Sequence, residues 1–122
     1  MTYSIVTIMS DTNEVFLNQV LELRRGSIVL AIVGILRVKK HYGYSLLRAL
    51  EQYNFPVDGS TLYPLLRRLE KQEMLSSEWD TTDKRPRKYY SLTTSGEKLY
   101  QSLLSEWREM NEKINEIVKE DI

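Results

Sequence analysis

Between Ser60 and Leu75 the apolar residues Leu62, Leu65, Leu66 and Leu69 fall at i, i+3, i+4 and i+7, a single stripe at helical period. The opposite side carries Ser60, Pro64, Arg67, Arg68 and Lys71, with Tyr63 on the flank. The pattern predicts a helix half buried by leucines and half covered by hydroxyls, an aromatic ring and three cations. Asp58 or Ser60 caps it. Pro64 lies within its first two turns, where proline is tolerable.

Upstream, Val15, Phe16, Val20, Leu21 and Leu23 lead into an almost continuous apolar run, Ile28 to Leu36, which predicts burial on several sides. A helix begins near Glu14, capped by Asp11 or Asn13. Gly26 and Ser27 interrupt the period, so this is either one long helix with a weak point or two abutting segments. Lys39 to Gly43 breaks the pattern and reads as a turn. Tyr44 to Gln52 is a short helix with Leu46, Leu47 and Leu50 apolar, and it ends at Asn54-Phe55-Pro56 because a residue before proline is pushed out of helical geometry.

Beyond Leu75 the period changes. Leu75–Trp79 and Arg87–Leu92 are short, aromatic-rich segments around a polar turn, Asp80 to Pro86, which predicts a hairpin with a basic tip at Lys84, Arg85, Arg87 and Lys88. Tyr89 and Tyr90 alternate across the strand, one toward the core and the other exposed. Thr94-Ser95-Gly96-Glu97 fits a capping box, Thr94 as N-cap and Glu97 reaching back. A long helix follows to about Lys119. Its apolar positions Leu103, Trp107, Met110, Ile114 and Ile117 step by 4, 3, 4 and 3, the alternation of a coiled-coil seam.

Composition narrows the picture. The 122 residues suffice for one small domain plus an extension, and 42% hydrophobic with 28% charged residues describes an ordinary globular chain. With no cysteine there is no disulfide frame or thiolate metal site, which fits a reducing cytoplasm. The run Ile28–Leu36 is too short to span a bilayer, and no membrane partner is expected. His41 is the sole histidine, so a metal site is not expected, and no cofactor is implied. Nucleophile motifs, Gly-rich phosphate loops and metal-ligand spacings are missing, so the chain does not read as an enzyme. Net charge is formally zero, but its distribution is uneven. Arg24 to Arg48 holds six cations and no acid; from Ser95 onward seven acids face four cations.

The order helix, helix, helix, hairpin, long helix gives a mainly α fold with a small β-hairpin: a winged helix-turn-helix plus a C-terminal helix. The expected division is a tail over 1–12, the winged domain over 13–93 and a dimerisation helix over 94–122. In this topology the third helix enters the major groove of double-stranded DNA and the wing touches phosphate. The basic helix and the basic tip stand at those two places. Expected DNA contacts are Tyr44, Ser60, Thr61, Tyr63, Pro64, Arg67, Arg68 and Lys71, with Lys84, Arg85, Arg87 and Lys88 on the wing. A rival reading is a winged-helix protein-interaction module whose basic face is incidental.

HYGYSLLRALE (41–51), STLYPLLRRLEKQEML (60–75) and RPRKYYSLTTSGEKL (85–99), in this order and spacing, resemble the PadR family of bacterial transcriptional regulators. The single C-terminal helix is similar to the short, LmrR-like subgroup. The resemblance implies a homodimeric repressor, its C-terminal helix packed on the partner's N-terminal helix. The dimer seam would then hold Leu103, Trp107, Met110, Ile114, Ile117, Val118, Val20 and Leu21. It also implies a central pore in which Trp107 sandwiches a flat aromatic effector, with Leu104, Met110, Asn111, Arg24, Ser27 and Ile28 around it. Arg24 departs from the subgroup's pore: its charge would favour anionic ligands or close the pore with salt bridges.

Overall fold

A computed structural model describes residues 14–119. The anticipated tail over 1–12 and the caps Asp11 and Asn13 lie outside that range. In chain order the elements are α1 (Glu14–Arg25), α2 (Ile28–Val38), β1 (His41–Tyr42), α3 (Gly43–Gln52), α4 (Gly59–Lys71), β2 (Leu75–Asp80), β3 (Arg87–Leu92) and α5 (Thr94–Ile117). The break at Gly26–Ser27 is real: α1 and α2 are two abutting helices. Among the described residues no helix is long and apolar enough to cross a membrane.

The leucine stripe of α4 does what its period predicts. Leu62, Leu66 and Leu69 are buried and join Ile32 and Leu36 of α2, Leu46 and Leu50 of α3, Leu75 and Tyr90 in one core. Each such side chain contributes about 1.5–3 kcal/mol by leaving water. This cluster fixes which face of α4 remains outside. By contrast α1 buries no residue, and Leu23 is 78% exposed.

Left-handed residues end two of the helices. Asn54 (φ 57°) stops α3, and the Phe55 amide bonds the Leu50 carbonyl at 2.9 Å. Glu73 (φ 65°) stops α4 in the same way, through Met74 N–H to Leu69 O at 2.9 Å. Both are Schellman closures, which satisfy end carbonyls without glycine. The end of α3 is thus set at Asn54, two residues before the proline that the sequence pattern credited. At the start of α4 the N-cap is Asp58, whose side chain makes no capping bond.

Two local expectations need correction. The supposed turn over Lys39–Gly43 contains a strand: β1 pairs antiparallel with β3, His41 opposite Tyr90 and Tyr42 opposite Tyr89. The sheet is therefore three-stranded, in the order β1-β3-β2, and not a lone hairpin. Two residues carry no readable alternation, so only their distant partner reveals the strand. The cap of α5 is Thr93, not Thr94, and the capping box does not form. The Thr93 hydroxyl accepts from Gly96 N–H at 2.9 Å and lies 2.7 Å from the Glu73 carbonyl and 3.0 Å from that of Met74, oxygens to which it donates. Glu97 turns away to accept from Arg37 Nε at 2.8 Å, tying α5 to α2.

His41 is 8% exposed and fixes the start of α3. The Ser45 hydroxyl donates to the Tyr42 carbonyl at 2.9 Å, so it must accept from His41 Nδ1, 3.0 Å away, which assigns the proton to Nδ1. Burial, then the charge of Lys39, holds the imidazole pKa below its ordinary value. His41 is a structural residue here. Among the described residues no group of three or more metal-binding side chains is clustered.

Candidate nucleic-acid interface

Tyr63 decides how the exposed side of α4 is presented. Its ring lies between the first residues of two helices, Gly43 of α3 and Gly59 of α4. A Cβ at Gly43 would overlap Tyr63 Cε1, and one at Gly59 would come within 3.1 Å of Cε2. Glycine at both positions lets the ring settle while 39% of the residue stays exposed. The N-termini of α3 and α4 therefore converge beside one phenol. Tyr44, on the first turn of α3, is 56% exposed next to Gly43.

Further along α4, Ser60, Thr61, Pro64, Arg67, Arg68 and Lys71 are all exposed. Pro64 has no N–H to give to the Ser60 carbonyl, so that oxygen lacks its usual helical donor. Among the described residues no carboxylate pairs with Arg67, Arg68 or Lys71, nor with Lys84 or Arg85 at the wing tip. Their charges are available to an outside anion.

The wing is built by its turn. The Asp80 carboxylate accepts from Thr82 N–H at 3.0 Å and from the Thr82 hydroxyl at 2.7 Å, which starts the reversal toward Pro86. Those two bonds hold the Asp80 pKa below its ordinary value. On the outer face of the sheet, Tyr42 and Tyr89 meet edge to face at 5.3 Å, Arg87 lies 4.6 Å over Tyr42 and Lys40 lies 5.1 Å over Tyr89. Tyr90 is the buried member of the tyrosine pair and Tyr89 is half-buried on this outer face.

Lys88 stands apart from the other wing cations. It is half-buried, and its ammonium donates to Glu70 of α4 at 2.9 Å. Sequence reasoning placed Lys88 with the DNA contacts and passed over Glu70 and Ser77. Their pairing carries no local signal.

A recess of about 500 Å³ opens between the α1–α2 junction and α5. The structure brings Ser27, Trp107, Met110 and Asn111 together here, as the sequence anticipated, and adds Leu23 and Glu106. It does not bring Leu104, Arg24 or Ile28 onto this recess. Arg24 instead lies 4.9 Å over the Phe55 ring, beside the loop that leads into α4. The acid of the recess is Glu106. The anticipated seam is otherwise open to solvent in the single chain: Trp107 is 44%, Met110 51%, Ile114 54%, Ile117 76% and Val118 62% exposed. On α1, Leu21 is 43% exposed and lines the recess that holds Arg24 and Phe55, and Val20 is half-buried. Leu103 lies half-buried at the upper end of the seam.

Residues 32–102, more than half of the chain, match the Transcriptional regulator PadR-like family. The chain belongs to that family. It resembles a PadR family transcriptional regulator from Eggerthella lenta with a TM-score of 0.84 and 35% identity, over 92% of this chain and 99% of that one. It is 33% identical to the transcriptional regulator Rv3488 of Mycobacterium tuberculosis, over 62% of this chain and 70% of that protein. The fold is shared with Bacillus subtilis PadR, solved in complex with operator DNA, at a TM-score of 0.58 and 23% identity over 63% of this chain and 45% of that one. Family and relatives are transcriptional regulators, not enzymes. The helices α2 to α4 and the three-stranded sheet form the winged unit of this PadR-like chain, and α5 is its long C-terminal helix.

Proposed function

We propose that this chain is a homodimeric repressor that binds a pseudo-palindromic operator, with one α4 in the major groove of each half-site. The observation that carries this reading is the row of unneutralised cations on the outer side of α4, held there by a buried leucine stripe. Arg67, Arg68 and Lys71 meet phosphates or base edges, and Ser60, Thr61 and Tyr63 sit where the helix N-terminus approaches the backbone. Lys84, Arg85 and Arg87 supply salt-dependent affinity from the wing with little sequence choice. Half-sites lie about one helical turn, ~10 base pairs, apart or a multiple of it. Bacillus subtilis PadR, whose fold this chain shares, was solved in complex with operator DNA, which supports DNA as the partner.

A gel-shift series across salt concentrations tests the reading, with a duplex that the protein itself selects from a random library. Arg67→Ala and Lys71→Ala should each weaken binding by roughly tenfold and lower the salt slope by about one. Unchanged affinity and slope in both variants would instead favour the protein-interaction module.

The recess beside Trp107 is the proposed effector site. The Trp107 indole, aliphatic walls and Glu106 suit a flat aromatic that is neutral or cationic, whereas Arg24, turned toward Phe55, no longer argues for an anion. Such a ligand would loosen the operator by favouring another separation of the two wings, and the operator would loosen the ligand equally. Quenching of Trp107 emission by planar aromatic cations, absent in Trp107→Phe, is the expected result. A flat titration over a broad panel removes the effector role.

A further inference from the structure

Glu70 stands where α4 meets the wing. Its Oε1 accepts from Lys88 Nζ of β3 at 2.9 Å, and its Oε2 accepts from the Ser77 hydroxyl of β2. One carboxylate thus holds both long strands to the helix. The side chains of Lys88 and Glu70 are 31% and 30% exposed, so solvent screens this pair less than it screens the exposed pairs elsewhere. The Lys88 ammonium also lies 5.2 Å from the ring centroid of Tyr90, a core residue. Every other cation named on the wing is exposed, and among the described residues no carboxylate pairs with Lys84 or Arg85.

The placement has an electrostatic consequence. Glu70 sits between Arg67 and Lys71 in sequence, at the base of the cationic side of α4. An uncompensated carboxylate there would repel phosphate, and Lys88 cancels it locally. It also has a mechanical one. The tip of the wing is long and exposed, so its angle to α4 depends on contacts made near its base. The groove read by α4 and the phosphates met by the tip must be reached at once, and a wing free to swing would lose that simultaneous fit.

We propose that Glu70, Ser77 and Lys88 form a brace that fixes the wing against the DNA-reading helix, with Lys88 as a positioning residue and not a phosphate contact. The proposal rests on the DNA-binding reading above. It makes a prediction of opposite sign to the simpler assignment. If Lys88 met phosphate, removing the charge of Glu70 would free it and tighten binding.

The test is a double-mutant cycle on full-length protein, with the library-selected duplex as probe and salt titrations at each corner. Glu70→Gln and Lys88→Gln should each weaken binding about tenfold, and the double variant, which keeps the local net charge, should keep the wild-type salt slope. The double variant should bind no worse than either single one, and the charge exchange E70K/K88E should recover most of the affinity. Tighter binding by Glu70→Gln overturns the brace, as does a slope lowered by about one in the double variant, where no bare carboxylate can account for it. Additive losses, or no loss in either variant, overturn it as well. A wild-type chain that selects no duplex fails the functional reading itself, and the brace role falls with it.

Discussion

Gly96→Ala is expected to destabilise the fold by about 3 kcal/mol, a large share of the stability of a small domain. The sign is instructive. In an isolated helix alanine would be better than glycine by about 1 kcal/mol, and Gly96 lies in the first turn of α5. A Cβ there, however, would overlap the Met74 carbonyl oxygen and stand 2.6 Å from Leu92 Cδ1. The Met74 oxygen belongs to backbone and cannot step aside cheaply, since it accepts from Thr93 N–H at 3.2 Å and from the Thr93 hydroxyl. Relief of the clash would therefore pull apart the cap of α5 and its seat on the end of β3. Urea denaturation followed by circular dichroism measures the loss. A midpoint equal to or above wild type would mean that α5 does not sit this close to the α4–β2 corner.

The paired substitution Ile114→Asp and Ile117→Asp is expected to leave the winged unit folded while dissolving the proposed dimer. Both residues are more than half exposed in the single chain, and neither belongs to its core. The cost therefore falls on association. None of the twelve residues of α1 is fully buried in its own chain, and a helix of that length is marginal alone in water. In the proposed dimer a partner's α5 laid on α1 would cover both apolar faces. A monomer reaches one half-site at a time and forfeits the effective concentration that links two, a loss of about 10²- to 10⁴-fold in operator affinity. Sedimentation should show a monomer, circular dichroism a preserved core with less helix from α1, and gel shift the fall in affinity. A variant that sediments as a dimer and binds the operator fully would place the dimer contact elsewhere.

Much of this was legible along the chain because it depended on residues close together in sequence. The leucine stripe at Leu62, Leu66 and Leu69 fixed the inner side of α4, and so placed Arg67, Arg68 and Lys71 outside. The polar turn between two aromatic segments announced the wing, and the 4-3 spacing of Leu103, Trp107, Met110, Ile114 and Ile117 announced the open face of α5. The failures were short-range guesses decided by long-range partners. A capping box at Thr94 was reasonable until Arg37 took Glu97 and the Glu73–Met74 backbone held Thr93. The family resemblance put Arg24 beside Ser27, yet Arg24 lies in the last turn of α1 and Ser27 stands at the N-cap of α2, and Phe55 drew the guanidinium away.

Periodicity tells which side of a helix avoids water, because that depends only on the helix repeat and the transfer free energy of its side chains. The sequence by itself therefore determined the element order, the cationic outer side of α4, the basic wing and the apolar seam of α5. It could not determine what each polar group would bond to, because that depends on which atoms of distant segments arrive within 3 Å. Only the tertiary structure decided that His41–Tyr42 would join the sheet, that Glu106 would replace Arg24 beside Trp107, and that Lys88 would turn inward to Glu70.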